Sequence, residues 1–411
     1  MASPNRMSAL ELRASLSLAS VFGLRLFGMF VILPVFVIYA ETLPGGKNLT
    51  LVGLAIGVYG MTQAILQIPF GWWSDRIGRK SVIYLGLIMF AAGSFIAASA
   101  PNIYVVIVGR MLQGAGAISA AVIALASDLT REEHRTKSMA MIGSSIGVVF
   151  ALSLVAAPWL NHLIGVPGIF ALTGILALGA MLVVWRIVPT VTGKPVARKS
   201  SLITDLKSVF ADPQLMRLNW GIFALHAVLM AMFIAVPFAL RNAGMPLEQH
   251  WKIYLPVMLV SFVMMLPAVM GSHDPRKLKG WFVFSVVLLL MGQLAMPWLT
   301  GELWAITLFL LLFFAPFNVL EAMLPSLVSR IAPPHLKGAA IGVYSSVQYF
   351  GTFVGAAAGG YLYSQWGVPG IVVPGTILLV IWLILAFGMQ ALPPRVKSKG
   401  VAPPAAGEPA R

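Results

Sequence analysis

The chain has 411 residues, of which 59% are apolar and only 10% are charged, and its mean hydropathy is +0.89. Soluble domains carry about 25% charged residues, so this composition excludes a soluble globular protein and indicates an integral membrane protein. The net charge of +15 is spread over short loops and ends, which favours anionic lipid headgroups over nucleic acid as the partner. The sequence contains no cysteine, which excludes disulfides and thiolate chemistry.

Apolar stretches long enough to cross the hydrocarbon core as helices follow one another along the chain. The first stretch is too long for the apolar part of a cleavable signal peptide, so we expect it to remain as an anchor. Twelve membrane spans are predicted, at residues 15–40, 51–73, 81–100, 103–127, 138–160, 166–188, 218–240, 251–270, 281–299, 303–328, 338–363 and 368–389. The predicted fold class is therefore an all-α integral membrane protein with twelve transmembrane helices.

The basic residues indicate the orientation of the spans, because cytoplasmic loops retain Lys and Arg. Most of the 28 Lys and Arg lie in the two terminal segments and in every second loop. The loops on the opposite side hold only Lys47, Arg241 and Lys252. We therefore expect both termini to face the cytoplasm, which agrees with an even number of crossings.

An internal repeat divides the chain. The string GVPGI occurs at residues 165–169 and again at 367–371, about half the chain length apart, and Lys137 has a counterpart in Lys337. Two copies of a six-span unit predict two pseudo-symmetric six-helix bundles that can rock against each other around a central site, which is the basis of alternating access. The predicted units are a first bundle at 1–188, a cytoplasmic linker at 189–217, a second bundle at 218–392 and a disordered tail at 393–411.

The stretch GWWSDRIGRK at residues 71–80 lies between the second and third predicted spans. Gly71 can let the helix end approach a neighbour closely, and Asp75 can face the positive end of a helix. Arg79 can then bridge acidic side chains. An ordinary topogenic loop is the alternative, since three bases and a tight turn would suffice for it.

Two stretches carry a family resemblance. GWWSDRIGRK resembles the signature of the major facilitator superfamily, Gly-x-x-x-Asp-Arg-x-Gly-Arg-Lys, and GRMLQGAGA at residues 109–117 is similar to the fourth-span motif of drug:proton antiporters. The first signature is matched at Gly71, Asp75, Arg76, Gly78, Arg79 and Lys80, and the second at Arg110, Gln113, Gly114 and Gly116. The stretches RLFGMFVILPV and SDLTREEHRTKSMA resemble the YajR branch of that group in particular.

The resemblance has two departures. Members of that branch typically carry an additional soluble carboxyl-terminal domain, whereas this sequence ends in a short tail, so we expect no regulation through such a domain. Antiporters usually show paired glycines in the fifth span, and this chain has Gly143 and Gly147 without a Gly-Gly pair. The usual sequence marker of export is therefore weakened.

The resemblance implies a multi-pass protein of the bacterial cytoplasmic membrane. It also implies that Asp75, Arg79 and Asp128 form a charge relay that gates the cytoplasmic side, with Asp75 facing the start of span eleven near Gly338. Spans one, four, seven and ten would line the central cavity.

Four ionisable residues lie within predicted spans, and they fall on the first, fourth, seventh and tenth: Arg25, Arg110, His226 and Glu321. Such residues are rare in spans and usually functional, because hydrocarbon does not solvate charge. An acid whose neighbours change with conformation can bind and release a proton, and histidine can do so near neutral pH. We predict Glu321 as the leading proton site and His226 as its partner or a second site.

Arg110 and Arg25 would tune these groups or receive anionic parts of the cargo. Structural alternatives remain open: Glu321 as a permanently paired acid, His226 as a packing residue, and Arg25 as an anchor to carbonyls. Other polar residues of the spans are candidates for lining the cavity, with interhelical hydrogen bonding as the alternative for each: Tyr59, Gln63, Gln67, Gln113, Asn318, Gln348 and Tyr349.

The predicted function is a secondary active transporter, a proton-coupled antiporter that exports small organic molecules by alternating access. The expected partners are a small-molecule substrate, protons and the lipid bilayer, without nucleic acid or a cofactor, and we expect a monomer. A symporter or facilitator, and a nontransporting membrane sensor or scaffold, are the alternatives. The sequence lacks a nucleophile–base pair, a metal-spaced histidine cluster and a phosphate-binding glycine loop, so no enzyme activity is predicted.

Overall fold

We describe the protein from a computed structural model, in which residues 7–189, 202–271, 274–298, 301–333 and 336–390 are described. The first half contains α1 (Ala9–Phe30), α2 (Leu33–Ala40), α3 (Leu49–Ile77), α4 (Arg79–Ala98), α5 (Ile103–Ala115), α6 (Ser119–Asp128) and α7 (Glu132–Arg186). The second contains α8 (Leu202–Ala211), α9 (Pro213–Asn242), α10 (Trp251–Gly271), α11 (Pro275–Ala295), α12 (Leu303–Ile331), α13 (Lys337–Trp366) and α14 (Val368–Phe387). The predicted tail and residues 190–201 of the predicted linker lie outside the described residues.

Ten helical segments of the described chain are long and apolar enough to cross a membrane. One of them, α7, has 55 residues and breaks at Gly165, so it supplies both the fifth and the sixth predicted span. Helix α13, with 30 residues, corresponds to the eleventh predicted span and packs between α3 and α9. The predicted all-α membrane fold is confirmed, and these helices account for the twelve predicted spans.

Two predicted spans are each built from two helices. The first span is interrupted after Phe30, and α2 restarts with Pro34 in its first turn, where the missing proline N–H leaves no helical hydrogen bond unmade. The fourth span is interrupted at Gly116, because its backbone leaves the helical region there. A Cβ at Gly116 would also lie 3.2 Å from the carbonyl carbon of Gly86 on α4, so glycine permits the close approach of these two helices.

The repeated GVPGI string has the same structural role in both halves. Gly165 and Gly367 have φ values of +66° and +60°, in the region that favours glycine, and each separates two consecutive spans. A second correspondence closes each half: Lys80 donates to the Val188 carbonyl at 2.6 Å, and Lys279 donates to the Phe387 carbonyl at 2.7 Å. The two halves therefore repeat their connections as well as their helices.

The halves meet mainly along α3 and α13, with further contacts between α2 and α9 and between α7 and α10. Glycines of α3 allow this approach: a Cβ at Gly57 would lie 2.8 Å from the Phe353 carbonyl oxygen, and one at Gly60 would lie 2.6 Å from the Tyr349 carbonyl oxygen. Small residues permit such backbone contact between membrane helices. The α3–α13 contact has no free space for a side chain at these positions.

Candidate functional site

An acid, a histidine and an amide meet inside the second half. Glu321 of α12 lies with its carboxylate Oε2 3.8 Å from His226 Nε2 of α9. Gln348 of α13 places its amide nitrogen 2.9 Å from His226 Nε2 and 3.3 Å from Glu321 Oε1. The His226 side chain is 3% exposed and that of Glu321 is 19% exposed. We call these three residues the acid–histidine cluster.

The hydrogen-bond geometry indicates which ring nitrogen of His226 carries a hydrogen. Its Nδ1 lies 3.2 Å from the Ile222 carbonyl oxygen, and since a carbonyl only accepts, Nδ1 carries the hydrogen. In the neutral ring Nε2 is then an acceptor, which matches the amide N–H that Gln348 donates to it. The arrangement fits a neutral imidazole beside the Glu321 carboxyl group.

The surroundings of the cluster are aromatic and polar. The Phe317 ring centroid is 6.1 Å from that of His226. Asn318, one turn before Glu321, donates to Ser261 Oγ of α10 at 2.9 Å, so its amide bonds two helices together. Tyr349 is 6% exposed and lies at the α3–α13 contact through its carbonyl.

Two arginines form a separate cluster in the first half. Arg25 of α1 donates to Gln63 of α3 and, at 3.2 Å, to Ser119 of α6. Its guanidinium lies 5.7 Å from the centre of the Tyr59 ring, within the range of a cation–π contact. Arg25 is 2% exposed and Tyr59 is fully buried.

Arg110 of α5 lies on the same tyrosine. Its guanidinium is 4.7 Å from the centre of the Tyr59 ring, and it donates to Gln113 Oε1 at 2.9 Å and to the Gly28 carbonyl at 3.4 Å. Gln113 in turn donates to Ser94 at 2.7 Å. We call Arg25, Arg110 and the residues that hold them the arginine cluster.

The arginine cluster has no acid of its own. Among the described residues, no carboxylate lies within 4.0 Å of either guanidinium. The Nε atoms of Arg25 and Arg110, the Tyr59 hydroxyl and the Gln67 carbonyl oxygen are buried without a hydrogen-bond partner in the described chain. The four ionisable residues predicted from the spans are therefore brought together as two pairs, one in each half.

The signature loop between α3 and α4 forms a compact group of charged residues. Arg79 bonds Asp75, contacts Asp128 at 3.1 Å and donates to Ser74 at 2.8 Å. Gly78 has a φ of +96° and separates α3 from α4. The structure thus brings Asp75, Arg79 and Asp128 together, while the predicted approach of Asp75 to Gly338 stays a prediction.

The remaining signature residues have local contacts. The Arg76 guanidinium lies 3.8 Å from the centre of the Trp72 ring, and Lys80 holds the end of α7 as described above. A Cβ at Gly71 would lie 3.2 Å from the Ala120 side chain of α6. These contacts all lie within the first half.

An ion pair at the opposite end of the molecule was missed by the sequence reasoning. Arg241, at the end of α9, bonds both carboxylate oxygens of Glu41, which follows α2, at 2.5 and 3.2 Å. The Arg241 guanidinium holds the pKa of the Glu41 carboxyl below its ordinary value. A cavity of about 390 Å³ beside this pair is lined by Glu41, Gly46, Lys47, Leu49 and Phe238.

This pair joins the two halves, because Glu41 belongs to the first and Arg241 to the second. The charge distribution identifies Arg241 as one of the few bases in the loops opposite the cytoplasm, but it does not indicate Glu41 as its partner. The roles of Ser119 as a partner of Arg25 and of Gln348 as the bridge between His226 and Glu321 also had no sequence signal beyond their polarity.

Comparisons with known proteins agree with this architecture. The sequence pattern of the Major Facilitator Superfamily matches residues 18–356. The chain is 43% identical over 402 residues to Inner membrane transport protein YajR of Escherichia coli (strain K12), covering 97% of this chain and 88% of that protein. It is 27% identical over 358 residues to Multidrug resistance protein MdtH of Proteus mirabilis (strain HI4320), covering 82% of this chain and 83% of that protein.

A solved structure shows the same fold. The crystal structure of a bacterial homolog to the human lysosomal transporter Spinster, in an inward-facing and unoccupied conformation, matches with a TM-score of 0.74 at 14% identity. The match covers 92% of this chain and 97% of that one. This multi-pass membrane transporter belongs to the Major Facilitator Superfamily.

Proposed function

We propose that this transporter is a proton-coupled antiporter that exports small organic molecules across the bacterial cytoplasmic membrane by alternating access. The observation that carries the proposal is the acid–histidine cluster: a carboxyl group and an imidazole 3.8 Å apart inside a membrane-spanning bundle. An ionisable pair is costly in a membrane and is retained where ions or protons move. Export is supported by the likeness to MdtH, which is named for multidrug resistance.

In the proposed cycle, a proton enters from outside when the central site faces that side and neutralises the acid–histidine cluster. The proton leaves on the cytoplasmic side, where cargo binds, because cargo and proton compete for the same state of the site. The arginine cluster keeps a fixed positive charge in the first half throughout, since guanidinium does not lose its proton in proteins. The charge group of Asp75, Arg79 and Asp128 acts as a gate and does not bind cargo.

The topology of the proposal follows from the basic loops, with both termini in the cytoplasm. We propose that a single chain is the working unit, because the α3–α13 contact, both polar clusters and the Glu41–Arg241 pair are all formed within one chain. The proposed boundaries are the two bundles at 1–188 and 218–392 with the linker between them.

A flux assay in proteoliposomes tests this function. The probe is the compound of a drug-like library that raises the melting temperature of the purified protein most. Antiport predicts that acid on the side opposite the probe drives its accumulation above the level without a pH gradient. Accumulation driven by acid on the same side would instead establish a symporter. Binding without flux above empty liposomes would establish a sensor and overturn the proposal.

A further inference from the structure

We propose that Gln348 is a positioning residue that transmits the protonation state of the acid–histidine cluster to the α3–α13 contact between the two halves. This inference rests on the proposed function, in which Glu321 and His226 exchange the transported proton. Within the described chain, Gln348 is the side chain that forms hydrogen bonds with both of these residues.

The amide of Gln348 uses both hydrogens in this conformation. One N–H points to His226 Nε2 at 2.9 Å and the other to Glu321 Oε1 at 3.3 Å. An amide NH₂ has two donors and no acceptor, while the amide oxygen accepts only. The observed arrangement therefore requires an acceptor at each of the two partner atoms.

A proton added to the cluster breaks this match. The His226 Nδ1 hydrogen is already committed to the Ile222 carbonyl, so a proton bound to the ring goes to Nε2 and turns it into a donor. A proton bound to Glu321 Oε1 turns that atom into a donor in the same way. In either case one amide N–H faces another hydrogen, and because the same amide nitrogen bonds both partners, neither orientation of the amide matches both of them once one is protonated. Gln348 thus keeps both hydrogen bonds only while neither Nε2 of His226 nor Oε1 of Glu321 holds the added proton.

Few other titratable groups surround the acid–histidine cluster. The Tyr344 hydroxyl of α13 interacts electrostatically with Glu321, and it is buried without a hydrogen-bond partner in the described chain. On α9 the facing group is His226, and on the described part of α10 and α11 no charged side chain lies within 4.0 Å of Glu321. The two buried arginines contact Tyr59 and neutral partners of the first half instead.

The backbone of Gln348 is directly joined to the contact between the halves. The next residue, Tyr349, has the carbonyl that would lie 2.6 Å from a Cβ at Gly60 of α3, and Phe353 one turn later meets Gly57. Because these contacts leave no free space, a shift of α13 that follows the loss of one Gln348 hydrogen bond changes how α13 packs on α3. Gln348 therefore links a chemical event in the second half to its contact with the first.

Infrared titration of detergent-solubilised protein tests the inference without any cargo. Glu321→Gln should remove a carboxylic acid band that wild type gains on acidification; persistence of every such band would refute Glu321 as the proton site and with it the proposed function. Gln348→Met removes the N–H donor to the carboxylate at similar side-chain length. It should move the midpoint of the Glu321 band by about one pH unit or more toward higher pH.

Gln365→Met is the matched control, because Gln365 lies exposed on the same helix and bonds only Ser364 in the described chain. Its midpoint should equal that of wild type. Gln348→Asn, which keeps the amide on a shorter side chain, should shift the midpoint less than Gln348→Met. An unchanged midpoint in a folded Gln348→Met protein, with the Glu321 band present, would overturn the role of Gln348 while leaving the proposed function standing.

The link to the helix contact has its own readout. The protein has no cysteine, so Phe353→Cys introduces a single thiol on a residue whose backbone meets Gly57 of α3. The reaction rate of this thiol with a maleimide should change with pH at the midpoint of the Glu321 band, and adding Gln348→Met should abolish or displace this change. A pH response of the introduced thiol that is the same with and without Gln348 would contradict the proposed transmission.

Discussion

The two polar clusters lie in repeated halves of one fold and have opposite chemistry. In the first half, Arg25 and Arg110 hold permanent positive charges on a shared tyrosine with neutral hydrogen-bond partners. In the second half, Glu321 and His226 are both able to gain or lose a proton, and a single amide bridges them. The helices that carry Arg25 and Arg110 correspond through the internal repeat to those that carry His226 and Glu321.

This difference suggests how duplication can produce coupling. The repeat fixes where helices lie and where they bend, as Gly165 and Gly367 show. It does not fix the side chains that face the interior. One half can then supply a constant electrostatic field and the other a variable charge, so that a change in protonation alters the interaction between halves.

The largest effect is expected when the second half loses its titratable acid. Glu321→Gln keeps the shape of the side chain and removes its charge, so flux of the probe driven by a pH gradient should fall to the rate of empty liposomes. The measurement is initial flux in proteoliposomes with and without the gradient. Glu302→Gln is the control, because Glu302 is exposed before α12, and it should transport like wild type. Retained coupling in Glu321→Gln would reject the assignment.

The next largest effect is expected for a substitution in the arginine cluster of the first half. Arg110→Lys keeps the fixed charge and removes the guanidinium, whose Nη1 donates to both Gln113 and the Gly28 carbonyl. One hydrogen bond to a charged group contributes about 1.5–3 kcal/mol, so turnover should fall about tenfold or more while its pH dependence stays that of wild type. The exposed Arg13→Lys serves as the control. A displaced pH profile in Arg110→Lys would mean that the arginine cluster belongs to the titrating unit.

A smaller effect is expected at the Glu41–Arg241 pair, which ties the halves without belonging to either cluster. Exposed ion pairs are worth about 0.2–1 kcal/mol, so Glu41→Gln should increase opening at this end by at most about fivefold. Leu49→Cys, which replaces a residue that lines the neighbouring cavity, reports the opening through its labelling rate with a membrane-impermeant maleimide.

The Glu41–Arg241 pair should add no pH dependence to this opening between pH 6 and 8. The pKa of Glu41 is lowered, so the contribution of the pair is fully present above the ordinary carboxyl range and is lost only as pH falls through the lowered value. The labelling rate of the Leu49→Cys protein, corrected for the reactivity of a free thiol, should therefore change with pH by the same factor with and without Glu41→Gln in that window. A fivefold or greater rise in the corrected rate from pH 8 to pH 6 that Glu41→Gln abolishes would make this pair, and not the acid–histidine cluster, the proton sensor.

The smallest effect is expected for Asp75→Asn. Arg79 contacts Asp128 as well as Asp75, so one acid still holds it after the substitution. The rate of turnover should change by about twofold or less, within the energy of a surface ion pair, and probe affinity should be retained. Asp75→Asn combined with Asp128→Asn should change the rate more than either alone. A loss of affinity without a change in rate would argue against a gate.

Much of the fold follows from the sequence, because the bilayer imposes the length of each apolar stretch and the basic loops impose their order. The repeat, the breaks at Gly165 and Gly367 and the signature charge group all had local patterns. The interruption of the first and fourth spans had weaker signals, since Pro34 and Gly116 are compatible with several local backbones until the neighbouring helices are placed.

The site was predictable only as a set of residues. The free-energy cost of placing an ionisable group in a membrane singles out four residues, because such groups are rare in spans and usually functional. These are Arg25, Arg110, His226 and Glu321. Their division into two clusters depends on which helix faces turn toward each other, and no local pattern encodes that. Gln348 was one polar candidate among seven, and its bridging position emerges only when α9, α12 and α13 are packed together.

The most direct test of the comparison counts protons. Pyranine trapped inside proteoliposomes reports the protons that cross the membrane as the probe is added outside. Wild type and Arg110→Lys should both move protons in proportion to the probe they transport, and Glu321→Gln should move none. Proton movement that survives in Glu321→Gln, or that disappears in Arg110→Lys while probe flux continues, would contradict the placement of the transported proton in the second half.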